Sequence, residues 1–102
     1  DYGLVGHTHL PVIFQRSAED AYSLSRPTLP GQPIRLEPRM IINPGSVGQP
    51  RDMDPRAAYA MLDLDAMTWE ARRTQYAVSE VQLRMLRAGL PERQALRLVA
   101  GW

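Results

Sequence analysis

The chain has 102 residues, the size of one small domain or of part of a larger one. Its content of 44% hydrophobic and 23% charged residues is typical of a globular protein and excludes a disordered tail. Twelve basic and eleven acidic residues give a net charge of +1, so no dedicated nucleic-acid surface is evident.

The sequence contains no cysteine, which excludes disulfides and thiolate metal sites and suits a reducing cytoplasm. No apolar run approaches the roughly 20 residues that span a bilayer. No signal peptide is visible either. We therefore expect a cytoplasmic protein without a membrane partner.

Residues 2–5 predict a short buried strand at the very start of the chain. A strand with no preceding element needs a partner sheet. We therefore expect an N-terminal portion of the protein to lie outside this sequence. The alternative is a trimmed small domain that is complete in itself.

Directly after this strand, the segment Gly6-His7-Thr8-His9 contains both histidines of the chain. Neutral imidazole is a strong ligand for transition metals, so His7 and His9 predict a metal site. Rings two residues apart share one face of a strand, whereas on a loop they diverge and serve two ions. A structural or incidental pair is the alternative.

A metal site needs three or more ligands. The other candidates in this sequence are carboxylates at no persuasive spacing: Asp1, Asp20, Asp52 and Asp54. If the histidines bind metal, most of the ligands must come from elsewhere. Asp52 and Asp54 are better interpreted as turn formers.

The next segments predict strands separated by an excursion. Residues 11–15 predict a strand with a proline at its start, where the missing N–H does least harm. Residues 16–33 are polar and rich in turn formers, and predict a long loop outside the core. A brief strand over 34–36 and a longer one over 39–43 follow, the second ending at Pro44.

Residues 43–52 read Asn-Pro-Gly-Ser-Val-Gly-Gln-Pro-Arg-Asp. Small residues after a strand let backbone N–H groups face an anion. Ser46 adds a hydroxyl and Arg51 a forked donor suited to phosphate, so both are candidate substrate contacts. The alternative is a rigid structural loop that depends on Asn43, Gly45 and Gly48, because the run lacks the lysine and spacing of a phosphate-binding loop.

Residues 57–64 and 68–76 predict two strands around a turn at 65–67. The second alternates and is expected at an edge or on a solvated face. Arg72 and Arg73 are expected in solvent, or else facing an acidic partner. Residues 77–102 predict a helical segment. Its expected features are a capping box from Ser79 to Gln82, a stop at Gly89, a second helix with Pro91 in its first turn, and a stop at Gly101.

Residues 6–11, 43–52 and 55–60 together resemble the C-terminal section of calcineurin-like metallophosphoesterases. The most similar branch is the small prokaryotic phosphodiesterases labelled diadenosine-tetraphosphatase-like, and the resemblance covers nearly the whole chain. It implies an α/β fold, namely part of a four-layer α-β-β-α sandwich. Residues 1–102 would be the C-terminal portion of a single domain, and 77–102 its C-terminal helical segment.

The resemblance further implies a metal-dependent hydrolase of a small phosphoester, by preference a phosphodiester. The family holds two metal ions, and His7 and His9 would each ligate one of them. Manganese, iron, zinc or nickel suits imidazole ligands. Such ions activate a bridging hydroxide for in-line attack on phosphorus.

The family's earlier motifs are Asp-x-His, Gly-Asp, Gly-Asn-His-Asp/Glu and a further lone histidine, and this sequence contains none of them. The chain therefore carries no complete catalytic set, and by itself is expected to be inactive. A homo-oligomer that completes the site from two chains is one alternative. Another is a catalytically inactive remnant that serves as a binding or oligomerisation module.

Overall fold

A computed structural model describes residues 2–17, 19 and 23–102, which form seven strands followed by two helices. The strands and helices are β1 (Tyr2–Leu4), β2 (Pro11–Arg16), β3 (Ser23–Pro27), β4 (Pro33–Arg35), β5 (Met40–Pro44), β6 (Ala57–Asp63), β7 (Thr68–Thr74), α1 (Val78–Arg87) and α2 (Glu92–Ala100). This mixed α/β order, with strands first and helices last, agrees with the fold class expected from the sequence.

The described strands form two sheets. The larger sheet has the order β1-β5-β2-β3, in which β1 and β5 are parallel and the other pairs are antiparallel. The smaller sheet is antiparallel and has the order β4-β7-β6. The parallel pair brings the carboxyl end of β1 beside that of β5, so the segments after these two strands start at the same edge.

The core lies between the two sheets. It consists of Ile13, Met40 and Ile42 from the larger sheet, Trp69 from the smaller one, and Leu36 from a connection, each at most 7% exposed. On β5, the core residues Met40 and Ile42 are two positions apart, as expected where one face of a strand is buried. Burial of a side chain such as Ile42 contributes roughly 2 kcal/mol to stability.

The two helices pack against each other, and α2 ends on the loop that follows β5. Gly89 has φ +75° and ends α1, with the Leu90 N–H donating to Met85 O at 3.0 Å. Gly101 has φ +69° and ends α2, and a Cβ there would lie 2.7 Å from the backbone N of Asp54. The Met53 N–H also donates to Gly101 O at 2.8 Å. Only glycine fits this contact, so α2 is anchored on the same long loop that carries the candidate site.

Several expectations about single elements were wrong. Residues 16–33 were expected to form a loop, but β3 lies within them and pairs with β2, although all its residues are exposed. The strand β7 was expected at an edge or on a solvated face, but it lies between β4 and β6 and buries Trp69 and Ala71 on one face. The predicted capping box is absent, because α1 has Ala77 at its N-cap without a side-chain cap bond.

The Gln82 side chain of the expected box instead donates to Ala95 O of α2 at 2.8 Å. Pro91 occupies the N-cap of α2 and not its first turn. Arg72 is exposed as expected. The Arg73 side chain, expected in solvent, is only 5% exposed because it points to the same face as Trp69 and Ala71.

The described chain is elongated, with a radius of gyration of 15.9 Å, where a compact domain of this length has about 13 Å. Large apolar side chains are exposed on the strands, among them Phe14 at 41%, Ile41 at 46% and Met61 at 50%. No helix within residues 2–17, 19 and 23–102 has the length and apolar character needed to cross a membrane.

Candidate metal centre

The four residues Gly6–His9, called here the histidine loop, follow β1 closely. The Thr8 N–H donates to Gly6 O at 2.8 Å, which makes a three-residue γ-turn centred on His7. His7 has φ +68° and His9 has φ +62°, so both histidines occupy the left-handed region. This conformation costs a non-glycine residue about 1 kcal/mol or more. Such strain persists only where the surroundings impose it, and it concentrates at functional sites.

Asn43 at the end of β5 holds the histidine loop in place. Its Nδ2 donates to Gly6 O at 3.0 Å and to Thr8 Oγ1 at 2.9 Å, while its Oδ1 accepts from the Gly45 N–H at 2.9 Å. Asn43 is only 1% exposed. One buried amide therefore ties the histidine loop to the segment after β5.

His9 is oriented by a backbone group. Its Nδ1 lies 2.7 Å from Gln49 O. A carbonyl oxygen only accepts, so Nδ1 carries the hydrogen and Nε2 keeps a free lone pair. Metal-ligating histidines almost always have their other nitrogen bonded in this way. The His7 ring is exposed to solvent, and together the two rings offer imidazole donors at one end of the larger sheet.

Residues 44–50, called here the glycine loop, lie beside the histidine loop. Gly45 has φ +89°, and a Cβ there would lie 2.8 Å from Ala58 Cβ, so glycine is required. The Ser46 hydroxyl accepts from the Gln49 N–H at 2.9 Å, and Ser46 O accepts from the Ala58 N–H at 2.9 Å. At Gly48, a Cβ would have no described neighbour within 4 Å, so no contact explains glycine there.

Of the two candidate substrate contacts, Ser46 is partly committed to the loop and Arg51 is exposed. The Arg51 guanidinium donates to the Gln49 side chain at 3.1 Å. Its remaining N–H groups can bind an anion where a substrate reaches this surface. Ser46 and Arg51 thus both hydrogen-bond to Gln49, the residue whose carbonyl contacts His9.

Two of the four aspartates considered as ligands belong to a separate group of charges. This group, called here the arginine cluster, is formed by Asp52, Asp54, Arg56 and Arg73. The Arg73 guanidinium pairs with Asp52 and donates to Arg56 O at 3.0 Å. Arg56 forks onto Asp54, with its Nη2 2.6 Å from Oδ2 and its Nε 3.0 Å from Oδ1. This hydrogen bonding from Arg56 lowers the pKa of Asp54 to about 2.

Among the residues that the structure describes, no three His, Cys, Asp or Glu side chains are grouped so as to hold a metal ion. Asp52 and Asp54 are paired with arginines, and the candidates Asp1 and Asp20 lie outside the described residues. As a donor set, the exposed His7 ring and the free Nε2 of His9 fit two imidazole ligands. A complete centre needs further ligands from outside this set.

The fold and both loops match a solved structure. The crystal structure of a metallophosphoesterase from Sphaerobacter thermophilus superposes with a TM-score of 0.91 at 39% sequence identity, over 99% of this chain and 42% of that one. The chain is thus similar in sequence and structure to part of a metallophosphoesterase. An uncharacterized protein of Methanocaldococcus jannaschii is 33% identical over 101 residues, which are 99% of this chain and 40% of that protein. No family model matches the chain.

The chain therefore spans about two fifths of the length of each of these two proteins. The family resemblance drawn from residues 6–11, 43–52 and 55–60 is confirmed at the level of a partial metallophosphoesterase. The sequence did not single out Gln49, whose backbone oxygen orients His9. The available signal was its position before Pro50, because a proline restricts the conformation of the preceding residue and so the direction of its carbonyl.

Proposed function

We propose that this chain supplies the last metal loop of a dinuclear metallophosphoesterase that hydrolyses a small phosphodiester. His7 and His9 each ligate one of two divalent ions, drawn from manganese, iron, zinc and nickel. The relation to the Sphaerobacter thermophilus metallophosphoesterase supports the reaction class. The observation that carries the ligand assignment is the His9 ring, which is held through Nδ1 with Nε2 left free.

When bound, the two ions supply positive charge for the phosphate oxygens and an activated water as nucleophile. The residues of this chain orient the ligands. Asn43 fixes the histidine loop and Gln49 fixes the His9 ring, so the loop and its His9 imidazole are preorganised before an ion arrives. Ser46 and Arg51 form the rim on which a substrate phosphate would rest.

We further propose that residues 1–102 are the C-terminal portion of one four-layer α-β-β-α domain, with residues 77–102 as its final helical segment. The remaining ligands then come from the same polypeptide outside this sequence, and the chain alone is inactive. The elongated shape and the exposed apolar side chains of Phe14, Ile41 and Met61 support this proposal, because further layers would cover them. The lack of cysteine keeps the cytoplasm as the proposed location.

The test is hydrolysis of a chromogenic phosphodiester by the intact protein, with each candidate metal added after chelator treatment. We expect metal-dependent activity that falls about 100-fold or more in His7→Ala and in His9→Ala, since a lost ion removes several kcal/mol of transition-state stabilisation. Wild-type activity in both variants would contradict the ligand assignment.

The second candidate is an inactive module that binds a partner or a second copy through its exposed strands. The absence of a three-residue metal group among the described residues favours it over an autonomous enzyme, and the exposed apolar residues of β5 and β6 offer an interface. An intact protein that shows no metal-dependent hydrolysis and forms a stable oligomer would support this module. An oligomer that is active would instead support a site shared between two chains.

A further inference from the structure

The peptide group between Gln49 and Pro50 faces the imidazole of His9. Gln49 O accepts the hydrogen bond from His9 Nδ1 at 2.7 Å. Neutral imidazole exists in two tautomers, and only the one with hydrogen on Nδ1 makes this bond. The contact therefore selects which ring nitrogen is left with a lone pair, and that nitrogen is Nε2.

Residue Gln49, which carries the carbonyl of this peptide group, is restrained on both sides. On one side, the Gln49 N–H donates to the Ser46 hydroxyl at 2.9 Å. On the other side, the ring of Pro50 restricts Gln49 to extended conformations, and this restriction sets the direction of the Gln49 carbonyl. The Pro50 ring is itself less than 2% exposed, so the surrounding atoms hold it in place.

The Gln49 side chain also contacts the C-terminal helix. Its Nε2 lies 3.4 Å from Gln94 Oε1 of α2, and its Oε1 accepts from Arg51 at 3.1 Å. Gln94 Oε1 also lies 3.4 Å from Arg97 Nη1. The residue that orients His9 is thus held by the glycine loop through its backbone and contacts α2 through its side chain.

We propose that the Gln49–Pro50 peptide is a positioning element that holds His9 in the Nδ1–H tautomer and presents Nε2 to a divalent cation. The inference rests on the proposed function, in which His9 is a ligand. Gln49 acts only through His9 and is a positioning residue. Loss of such an outer contact typically weakens metal affinity about 10-fold to 100-fold.

The experiment compares Pro50→Ala with Pro55→Ala in the intact protein. Both changes remove a proline from the same connection, but only Pro50 follows the carbonyl that contacts His9. Nitrogen-15 NMR of histidine-labelled, metal-free protein, at a pH where the rings are neutral, reports the tautomer of His9. The His9 signals are assigned by their loss in His9→Ala, and calorimetric titration with Zn²⁺ gives the affinity.

We expect wild type and Pro55→Ala to show His9 with hydrogen on Nδ1. We expect Pro50→Ala to show a mixture of tautomers and Zn²⁺ affinity about 10-fold weaker. If Pro50→Ala does not fold, Ser46→Ala removes the other restraint on Gln49, at its N–H, and is expected to shift the tautomer in the same direction. A folded variant of either kind with the wild-type tautomer would overturn the inference.

The two proposals fail in different ways. If His9→Ala loses Zn²⁺ affinity while Pro50→Ala keeps both the tautomer and the affinity, the positioning inference is wrong and the ligand assignment stands. If His9→Ala binds Zn²⁺ as tightly as wild type, the ligand assignment is wrong, whatever the tautomer shows.

Discussion

The histidine loop and the arginine cluster both contact the connection after β5, and they use their polar groups differently. In the histidine loop, the neutral side chain of Asn43 and the backbone carbonyl of Gln49 make the bonds, and His9 keeps a free Nε2. In the arginine cluster, the charged groups pair with each other, Asp52 with Arg73 and Asp54 with Arg56.

The difference separates a binding site from a scaffold. The carboxylates of the cluster are bonded to guanidinium groups, so a metal ion would have to displace an arginine to reach them. The imidazole of His9 is also held, but through the nitrogen that a metal does not need. A rigidly held side chain that keeps a free donor atom is the arrangement expected of a metal ligand.

Removal of the Arg73 side chain is expected to have the largest effect on stability. Arg73→Met leaves Asp52 without its partner in a partly buried position, and should lower the free energy of unfolding by about 3 kcal/mol. Urea denaturation measures the loss, and metal affinity should not change if the cluster is only a scaffold. Arg72→Met is the matched control, because Arg72 is exposed and pairs only at the surface. Equal stability of the two variants would contradict the structural role of Arg73.

Asn43 should affect both stability and metal binding. Asn43→Ala removes three hydrogen bonds from a buried site, and should lower the free energy of unfolding by about 2 kcal/mol. Because the histidine loop is then released, metal affinity should fall about 10-fold. Val47→Ala in the neighbouring loop, at a side chain 65% exposed, should change neither quantity appreciably. An Asn43→Ala protein with wild-type metal affinity would show that the amide does not support the site.

Backbone strain at His7 predicts a difference between two substitutions that both remove the imidazole. His7→Gly should be more stable than His7→Ala by about 1 kcal/mol, because φ +68° is costly for alanine and not for glycine. The same pair at Thr8, which does not have a positive φ, should show the opposite order. Thermal unfolding of the four variants checks the prediction, and alanine as the better residue at both positions would contradict it.

The smallest expected effect is the pH dependence from Asp54. Its pKa is lowered from 3.8 to about 2, mainly by the hydrogen bond from Arg56. The folded state therefore binds this proton less readily than the unfolded chain. The resulting stability is full above about pH 4 and is lost as the pH falls towards 2. Solvent screening keeps the contribution below about 1 kcal/mol. Acid denaturation of wild type and Asp54→Asn should show a shallower pH dependence in the variant over this range, and equal slopes would contradict the assignment.

Most of the strands were predictable as segments of the sequence because apolar side chains dominate β2, β5 and β6. Their order in the two sheets was not predicted. The missed strand β3 consists of exposed serine, leucine, arginine and proline, so it lacks the alternation of a half-buried strand. Arg73 was placed in solvent because of its charge. Its side chain is buried because β7 lies between two other strands and Asp52 meets the guanidinium.

The candidate ligands were predictable from the sequence, whereas their support was not. Two histidines one residue apart after a predicted strand mark a possible metal site by residue type alone. The γ-turn at His7 and the contact from His9 to Gln49 O depend on backbone geometry, which residue identity does not specify. The capping box at Ser79 failed because the N-cap of α1 is Ala77, two residues earlier, so the serine lies inside the helix.

The most direct test is to count the Mn²⁺ ions that the intact protein binds as wild type, His7→Ala and His9→Ala, by equilibrium dialysis with metal analysis. The proposed function predicts two Mn²⁺ ions per site in wild type. In each variant one of the two ions binds more weakly, and the affected ion differs between His7→Ala and His9→Ala. Electron paramagnetic resonance should show coupled Mn²⁺ in wild type and loss of the coupling in both variants. Two coupled ions bound at wild-type affinity in either variant would contradict the claim that His7 and His9 each ligate one ion.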